Sequence, residues 1–425
     1  MPRVPHPRRL ILALALGVTL GGCSGGPEGP AVPEAGTNAE AHLDASYVVL
    51  LSIDGFRTDY LDRYPTPVFD RLIREGARAQ GMIPGFPTKT FPTHYTIATG
   101  LHAEHHGLVG NRYWDPEREA YYSIGDRTTV EDGTWYRGEP IWVTAERQGM
   151  VSAAFYFVGT EADVGGVRPT YWHRYDASIT NDQRVDSVLA WLRLPPETRP
   201  HMITFYFSDL DDVGHASGPD SPEAADAVAR VAASIGRLLD GLATIPHGDQ
   251  VTLVVVSDHG MLRAEAAKAQ GLDLTPFPGV RMVEGGPYAS LWIDEGGPER
   301  GPGLRDSLQA RLPHATVWLR EDVPERFHYS ADPRIGDIVI LADPGALVVR
   351  PDRVPTEDDF THGWDNRIPE MAAVFLARGP GISGGQTIPA FESVHVYPFL
   401  AHLLGLTPAE VDGRLEVLAP ILGGR

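Results

Sequence analysis

Four short apolar runs, three of them closing on aspartate, restrict the folds open to this 425-residue chain more than any other feature. They are Tyr47–Asp54, His201–Asp209, Val251–Asp258 and Met371–Ala377. Unbroken apolar runs of this length read as strands buried on both faces, as in a parallel sheet covered by helices. Helical stretches over Pro67–Gly76, Asp182–Leu194 and Pro222–Ala243 lie between them. The alternation predicts an α/β fold with a mostly parallel central sheet and helices on both faces. In such sheets functional groups gather just beyond the carboxyl ends of strands, where Asp54, Asp211 and Asp258 fall.

The rhythm breaks over residues 262–350. Ala289–Ile293, Ala315–Leu319 and Ile335–Leu341 read as strands and Gly303–Leu312 as a helix. This predicts a smaller α+β insertion over one edge of the main sheet, leaving residues 46–261 and 351–425 as the catalytic α/β domain. At the other end, Arg3, Arg8 and Arg9 precede an apolar run of 11 residues, Leu10–Leu20. Eleven helical residues span only ~16 Å, too short for a bilayer, so residues 1–22 read as an export signal. Cys23, the only cysteine, follows Leu20-Gly21-Gly22 and resembles a bacterial lipoprotein lipidation site. The expectation is an exported protein on the periplasmic side, held to the membrane through a lipid on Cys23 alone. Residues 23–45, rich in Gly, Pro, Ala and Glu, read as a flexible tether.

The formal charge of −20, from 56 acids against 36 bases, disfavours a nucleic-acid groove, which needs clustered Lys and Arg. An acidic protein can still bind a small anion if metal ions supply local positive charge. The strand-end residues suit that role. Asp54 follows the first run, Asp211 and His215 lie four apart, Asp258 and His259 are adjacent, and His362 sits in Thr361–Asn366. Mixed carboxylate and imidazole donors suit zinc, and this many suit two ions. Thr90 stands just before a helical run, where free N–H groups favour anions. Its hydroxyl becomes a competent nucleophile only beside a metal that lowers its pKa.

The motifs Ile53–Arg57, Pro87–Tyr95, Gly107–Asn111, Asp211–His215, Ser257–Met261 and Thr361–Asn366 occur in the order found in nucleotide pyrophosphatases/phosphodiesterases. The chain therefore resembles the bacterial members of that family, within the alkaline phosphatase superfamily, from about Tyr47 to Pro408; Glu392–Pro408 looks like its closing helix. The resemblance implies one zinc on Asp54, Thr90, Asp258 and His259 and another on Asp211, His215 and His362. It implies Thr90 as a nucleophile that becomes phosphorylated, and Asn111 with the Thr90 N–H as holders of a phosphate oxygen. Phe91 and Tyr175 match a slot in which a nucleobase stacks. Two positions depart from the family pattern: Thr93 replaces Asn, and Asp209-Leu210-Asp211 replaces Glu-Pro-Asp. Neither departure removes a ligand.

The implied activity is hydrolysis of nucleotide diesters and pyrophosphates to nucleoside 5′-monophosphates. The partners are a small nucleotide or phosphodiester substrate, with no sequence-specific nucleic acid and no protein partner implied. Two alternatives come from the same superfamily, a phosphomonoesterase using Lys89 and Arg168 as a clamp and a lysophospholipid or choline phosphodiesterase. A third is a metal-binding lipoprotein without catalysis.

Overall fold

The computed structural model describes residues 36–423. The export signal, Cys23 and most of the tether lie outside the described residues. An eight-stranded sheet forms the centre. Its strands are β1 (Tyr47–Ile53), β2 (Ala77–Ala79), β3 (Ser152–Phe155), β4 (Tyr171–His173), β5 (Met202–Phe207), β6 (Val251–Val256), β7 (Phe375–Arg378) and β8 (Gln386–Ile388). Across the sheet they run β8-β2-β7-β6-β1-β5-β3-β4. β1 pairs in parallel with both β5 and β6, and β3 in parallel with β5 and β4. The fourth apolar run departs from a purely parallel reading, because β7 is antiparallel to β6 and β2. Pro369–Met371 turns as a short 3-10 helix, so that strand starts only at Phe375.

Every residue of β1 and β6 is buried. Successive side chains point to opposite faces, and each face has its own core. Val48, Leu50, Val254 and Val256 join one cluster with Trp142, Phe399 and Leu400. Val49, Leu51, Leu253 and Val255 join the other with Val188, Val231 and Ile235. Helices α1 (Pro67–Glu75), α3 (Asn181–Leu192) and α5 (Pro222–Leu242) cover this second face; α2 (Thr90–Thr99) and α6 (Val396–Leu404) cover the first. Local chemistry starts these helices where the chain turns. Thr66 caps α1 ahead of Pro67, and Thr180 and Gln183 form a reciprocal capping box on α3.

The insertion carries a four-stranded sheet in the order Val280–Glu284, Tyr288–Ile293, Ile338–Ala342, Ala315–Leu319, with a helix over Gly301–Gln309. Its contacts reach the first core. They run to the segment after β2 and to the hairpin that follows α2: Phe86 meets Tyr288 edge-on, Arg112 donates to Val283 O, and buried Arg334 pairs with buried Asp115 at 2.8 Å. Apolar insertion side chains such as Tyr288 and Phe327 extend the first core.

The flexible-tether reading also fails for its last residues. Asn38 is buried; its amide donates to Pro196 O and Arg199 O, and its Oδ1 accepts from Val151 N. Three satisfied hydrogen bonds fix this stretch against the domain. No helix among the described residues is long and apolar enough to cross a membrane.

Candidate active site

Asp54 and Asp258 leave the carboxyl ends of β1 and β6, and helix α4 (Asp209–Ser217) follows β5. On α4, Asp211 and His215 are one turn apart and share a face. The helix can approach β1 because Gly55 adopts φ 68° and has no Cβ; one added there would lie 2.9 Å from Asp211 Cα. His362 comes from the segment after the insertion. Four separate stretches thus converge beside Thr90.

Each histidine is oriented by a backbone carbonyl, which can only accept, so the Nδ1 atom must carry the proton. His215 donates to Phe360 O at 2.7 Å, His259 to Gly260 O at 2.9 Å and His362 to Thr88 O at 2.8 Å. All three Nε2 atoms are thereby turned to the site. The Nε2 atoms of His215 and His362 lie 3.5 and 3.8 Å from Asp211 Oδ1. His259 Nε2 lies 2.9 Å from Asp258 Oδ2, 3.6 Å from Asp54 Oδ1 and 3.4 Å from Thr90 Oγ1. Donor atoms of Asp211, His215 and His362 fall within 4.8 Å of one another, as do those of Asp54, Asp211 and His259.

The carboxylates face the same space. Asp54 Oδ2 accepts from Tyr206 at 2.6 Å and Asp258 Oδ1 from Gly55 N at 3.1 Å. Asp54 Oδ1, Asp211 Oδ1 and Asp258 Oδ2 are buried without a hydrogen bond. Burial, then the carboxylates of Asp258 and Asp211, push Asp54 well above the usual range. Burial also raises Asp211, against the pull of His259 and His215. Burial opposes ionisation of Asp258, but His259 and His94 outweigh it and hold that group well below its usual value. Unpaired lone pairs crowded in a dry pocket are costly. A divalent cation relieves that crowding, and the donor set fits zinc.

Thr90 is the first residue of α2, and Lys89 before it makes no side-chain cap. The Thr90 N–H has no acceptor among the described residues, while Phe91 N donates to Asn111 Oδ1 at 3.0 Å. That bond fixes the Asn111 amide with its NH2 group available. Phe91 and Tyr175 line one cavity of about 270 Å³ with Thr90, Asp54 and Asp211. Tyr175 is 42% exposed and meets Tyr156 at 5.1 Å, so it is a wall of that cavity and not a core aromatic. Thr93, at one departure from the family pattern, is buried and bonds to Lys89 O at 2.6 Å, one turn back along the chain.

Two residues here were missed in the sequence. His94 lies near Asp54 and Asp258, but both its nitrogens are engaged, Nδ1 with Thr90 O at 2.9 Å and Nε2 with Ser52 at 2.8 Å. It positions the start of α2; its four-residue spacing from Thr90 was the available signal. Tyr206 was hidden inside an apolar strand, where its hydroxyl and that of Thr204 are the only polar side-chain groups. Tyr206→Phe is expected to weaken metal affinity about 10–100-fold, measured by competition with a chromophoric chelator. Unchanged affinity would remove Tyr206 from the support of Asp54.

The family model described as type I phosphodiesterase / nucleotide pyrophosphatase matches residues 48–365. Human ectonucleotide pyrophosphatase/phosphodiesterase family member 1 is 35% identical over 385 residues, 88% of this chain and 41% of that protein. Human family member 5 is 33% identical over 374 residues, 87% of this chain and 76% of that protein. The chain thus spans under half the length of several curated relatives it matches. The solved structure of murine family member 5 has a TM-score of 0.83 at 31% identity, over 89% of this chain and all of that one. An inactive threonine-to-alanine variant of the murine protein, in complex with AMP, aligns equally well.

Proposed function

The chain belongs to the type I phosphodiesterase/nucleotide pyrophosphatase family, and from that premise we propose that it hydrolyses nucleotide phosphodiesters and pyrophosphates to nucleoside 5′-monophosphates with two zinc ions and a phospho-threonine intermediate. One observation carries the reading: three buried carboxylate oxygens without a hydrogen bond and the Nε2 atoms of three histidines gather at the site of Thr90. Asp54, Asp258, His259 and Thr90 hold one ion in this assignment, and Asp211, His215 and His362 the other. Bound there, the ions supply positive charge to the phosphate and lower the pKa of the Thr90 hydroxyl.

The protein's own groups do the rest. Thr90 Oγ bonds to phosphorus as the leaving oxygen departs in line, and water then hydrolyses the phospho-threonine. The free Thr90 N–H and the Asn111 NH2 group donate to a phosphate oxygen, stabilising charge as it builds. The nucleobase stacks between Phe91 and Tyr175, a contact worth about 1–3 kcal/mol and tolerant of base identity. The murine relative's complex with AMP, and its inactivation by loss of a threonine, support this reading.

The phosphomonoesterase alternative needs a basic clamp. Lys89 instead donates to His362 O at 3.0 Å, and Arg168 stacks over Trp172. Neither lines the cavity, where Arg127 is the one cation among the described residues and is paired with Glu161 and Glu131. Export and attachment through Cys23 complete the proposal, on the sequence of residues 1–23 alone.

The test compares bis-p-nitrophenyl phosphate with the monoester and a nucleotide diester. Wild type is expected to favour diesters, and Phe91→Ala to raise KM for the nucleotide about tenfold while sparing the p-nitrophenyl diester. Preference for the monoester would overturn the reaction class; equal losses on both diesters would overturn stacking.

A further inference from the structure

A second group of convergent donors lies outside the Thr90 centre. His102 follows α2, His328 belongs to the insertion, and Glu392 precedes α6; one donor atom from each lies within 4.8 Å of the others. The two imidazoles stack at 3.9 Å with planes 13° apart. These histidines use their backbone N–H groups, His102 with Asp412 at 2.8 Å and His328 with Glu325 O at 2.9 Å. No ring nitrogen of either has a hydrogen-bond partner among the described residues. His328 also holds a left-handed backbone, φ 48°, which disfavours a residue with a Cβ and recurs at functional positions.

The three side chains line a cavity of about 10 Å³, room for a single water or ion. Asn366 and Ser393 line it too, and both bring a buried, unpartnered atom, Asn366 Oδ1 and Ser393 Oγ. Buried polar atoms in folded proteins are rarely left unpaired, so an occupant is called for. Arg326, also in the wall, is neutralised by a two-pronged pair with Asp365.

We propose that His102, His328 and Glu392 bind a divalent cation of the zinc class, with Asn366 Oδ1 and Ser393 Oγ as further neighbours. Two imidazoles and a carboxylate form a zinc donor set, whereas water alone would leave the imidazole pair without a reason to converge. A tetrahedral ion holds its donors at ~2 Å, so closing the site draws the three donor atoms together and tilts the two rings out of their stack. The ion joins three pieces of chain far apart in sequence: the end of α2, the insertion and the approach to α6. It is a structural clasp, and its donors are separate from those assigned to phosphoryl transfer.

The test measures zinc per chain by elemental analysis after loading and desalting. His102→Ala/His328→Ala and, separately, Glu392→Gln are expected to hold one zinc fewer than wild type, with diester turnover within twofold. Both variants should melt below wild type in zinc, the gap closing in chelator. Equal zinc content in wild type and a folded Glu392→Gln variant overturns the proposal. So does a wild-type crystal in which this cavity shows no anomalous signal at the zinc edge, the result expected of a water; that readout holds even if the variants fail to fold. Because zinc here is counted by difference, failure of the two-zinc hydrolase reading would leave this result distinct.

Discussion

Thr90→Ala is expected to retain its zinc while losing diester turnover by about 10³-fold or more, as when a covalent nucleophile is removed from an assembled site. The two effects separate because Thr90 Oγ1 is only one donor among several. Asp54, Asp258 and His259 still face one another when it is gone. Little packing is lost, since Thr90 is only half-buried at the first position of α2. Thr90→Ser, which keeps the oxygen, should recover much of the rate. Elemental analysis, steady-state kinetics on bis-p-nitrophenyl phosphate and trapping of the phosphorylated protein read these outcomes. Near wild-type turnover in the alanine variant would exclude Thr90 as nucleophile.

Chelation is expected to abolish turnover completely and to lower the melting temperature together with it. Asp54, Asp211 and Asp258 each keep one buried oxygen without a hydrogen bond, so the metal-free centre is left with crowded, uncompensated carboxylates. Linkage sets the scale: metal at 100 times its Kd stabilises the fold by about 2.7 kcal/mol per site. Two sites make this a large fraction of the 5–15 kcal/mol that is usual for a folded domain, as an order of magnitude. Calorimetry before and after chelation, followed by zinc add-back, measures both effects. Full activity in protein with undetectable metal would refute metal-assisted chemistry here.

The central strands were legible because their runs are apolar at every position, a pattern that only a doubly covered sheet sustains. The strand-end aspartates were legible for the same reason: a charge closing such a run must face a site or solvent. Asp211 and His215 also carried a helical spacing that α4 realises. What escaped was long-range. The direction of β7 depends on a turn at Pro369–Met371 that no local pattern announces. The insertion's docking rests on pairings such as Arg334 with Asp115, far apart in sequence. The anchoring of Asn38 depends on carbonyls at residues 196 and 199 that happen to lie beside it. Tyr206 was unreadable because its role is to hold another side chain still, a role that exists only in three dimensions, and for His94 only the helical spacing from Thr90 pointed to it.

In the proposed assignment His362 is the last donor of the Thr90 centre to be synthesised, and the whole insertion separates it from Asp258 and His259. During biosynthesis the nascent polypeptide therefore lacks a complete centre until that intervening sheet has emerged and docked. If His362 holds metal as proposed, a chain cut short before residue 362 is expected to lack diester turnover.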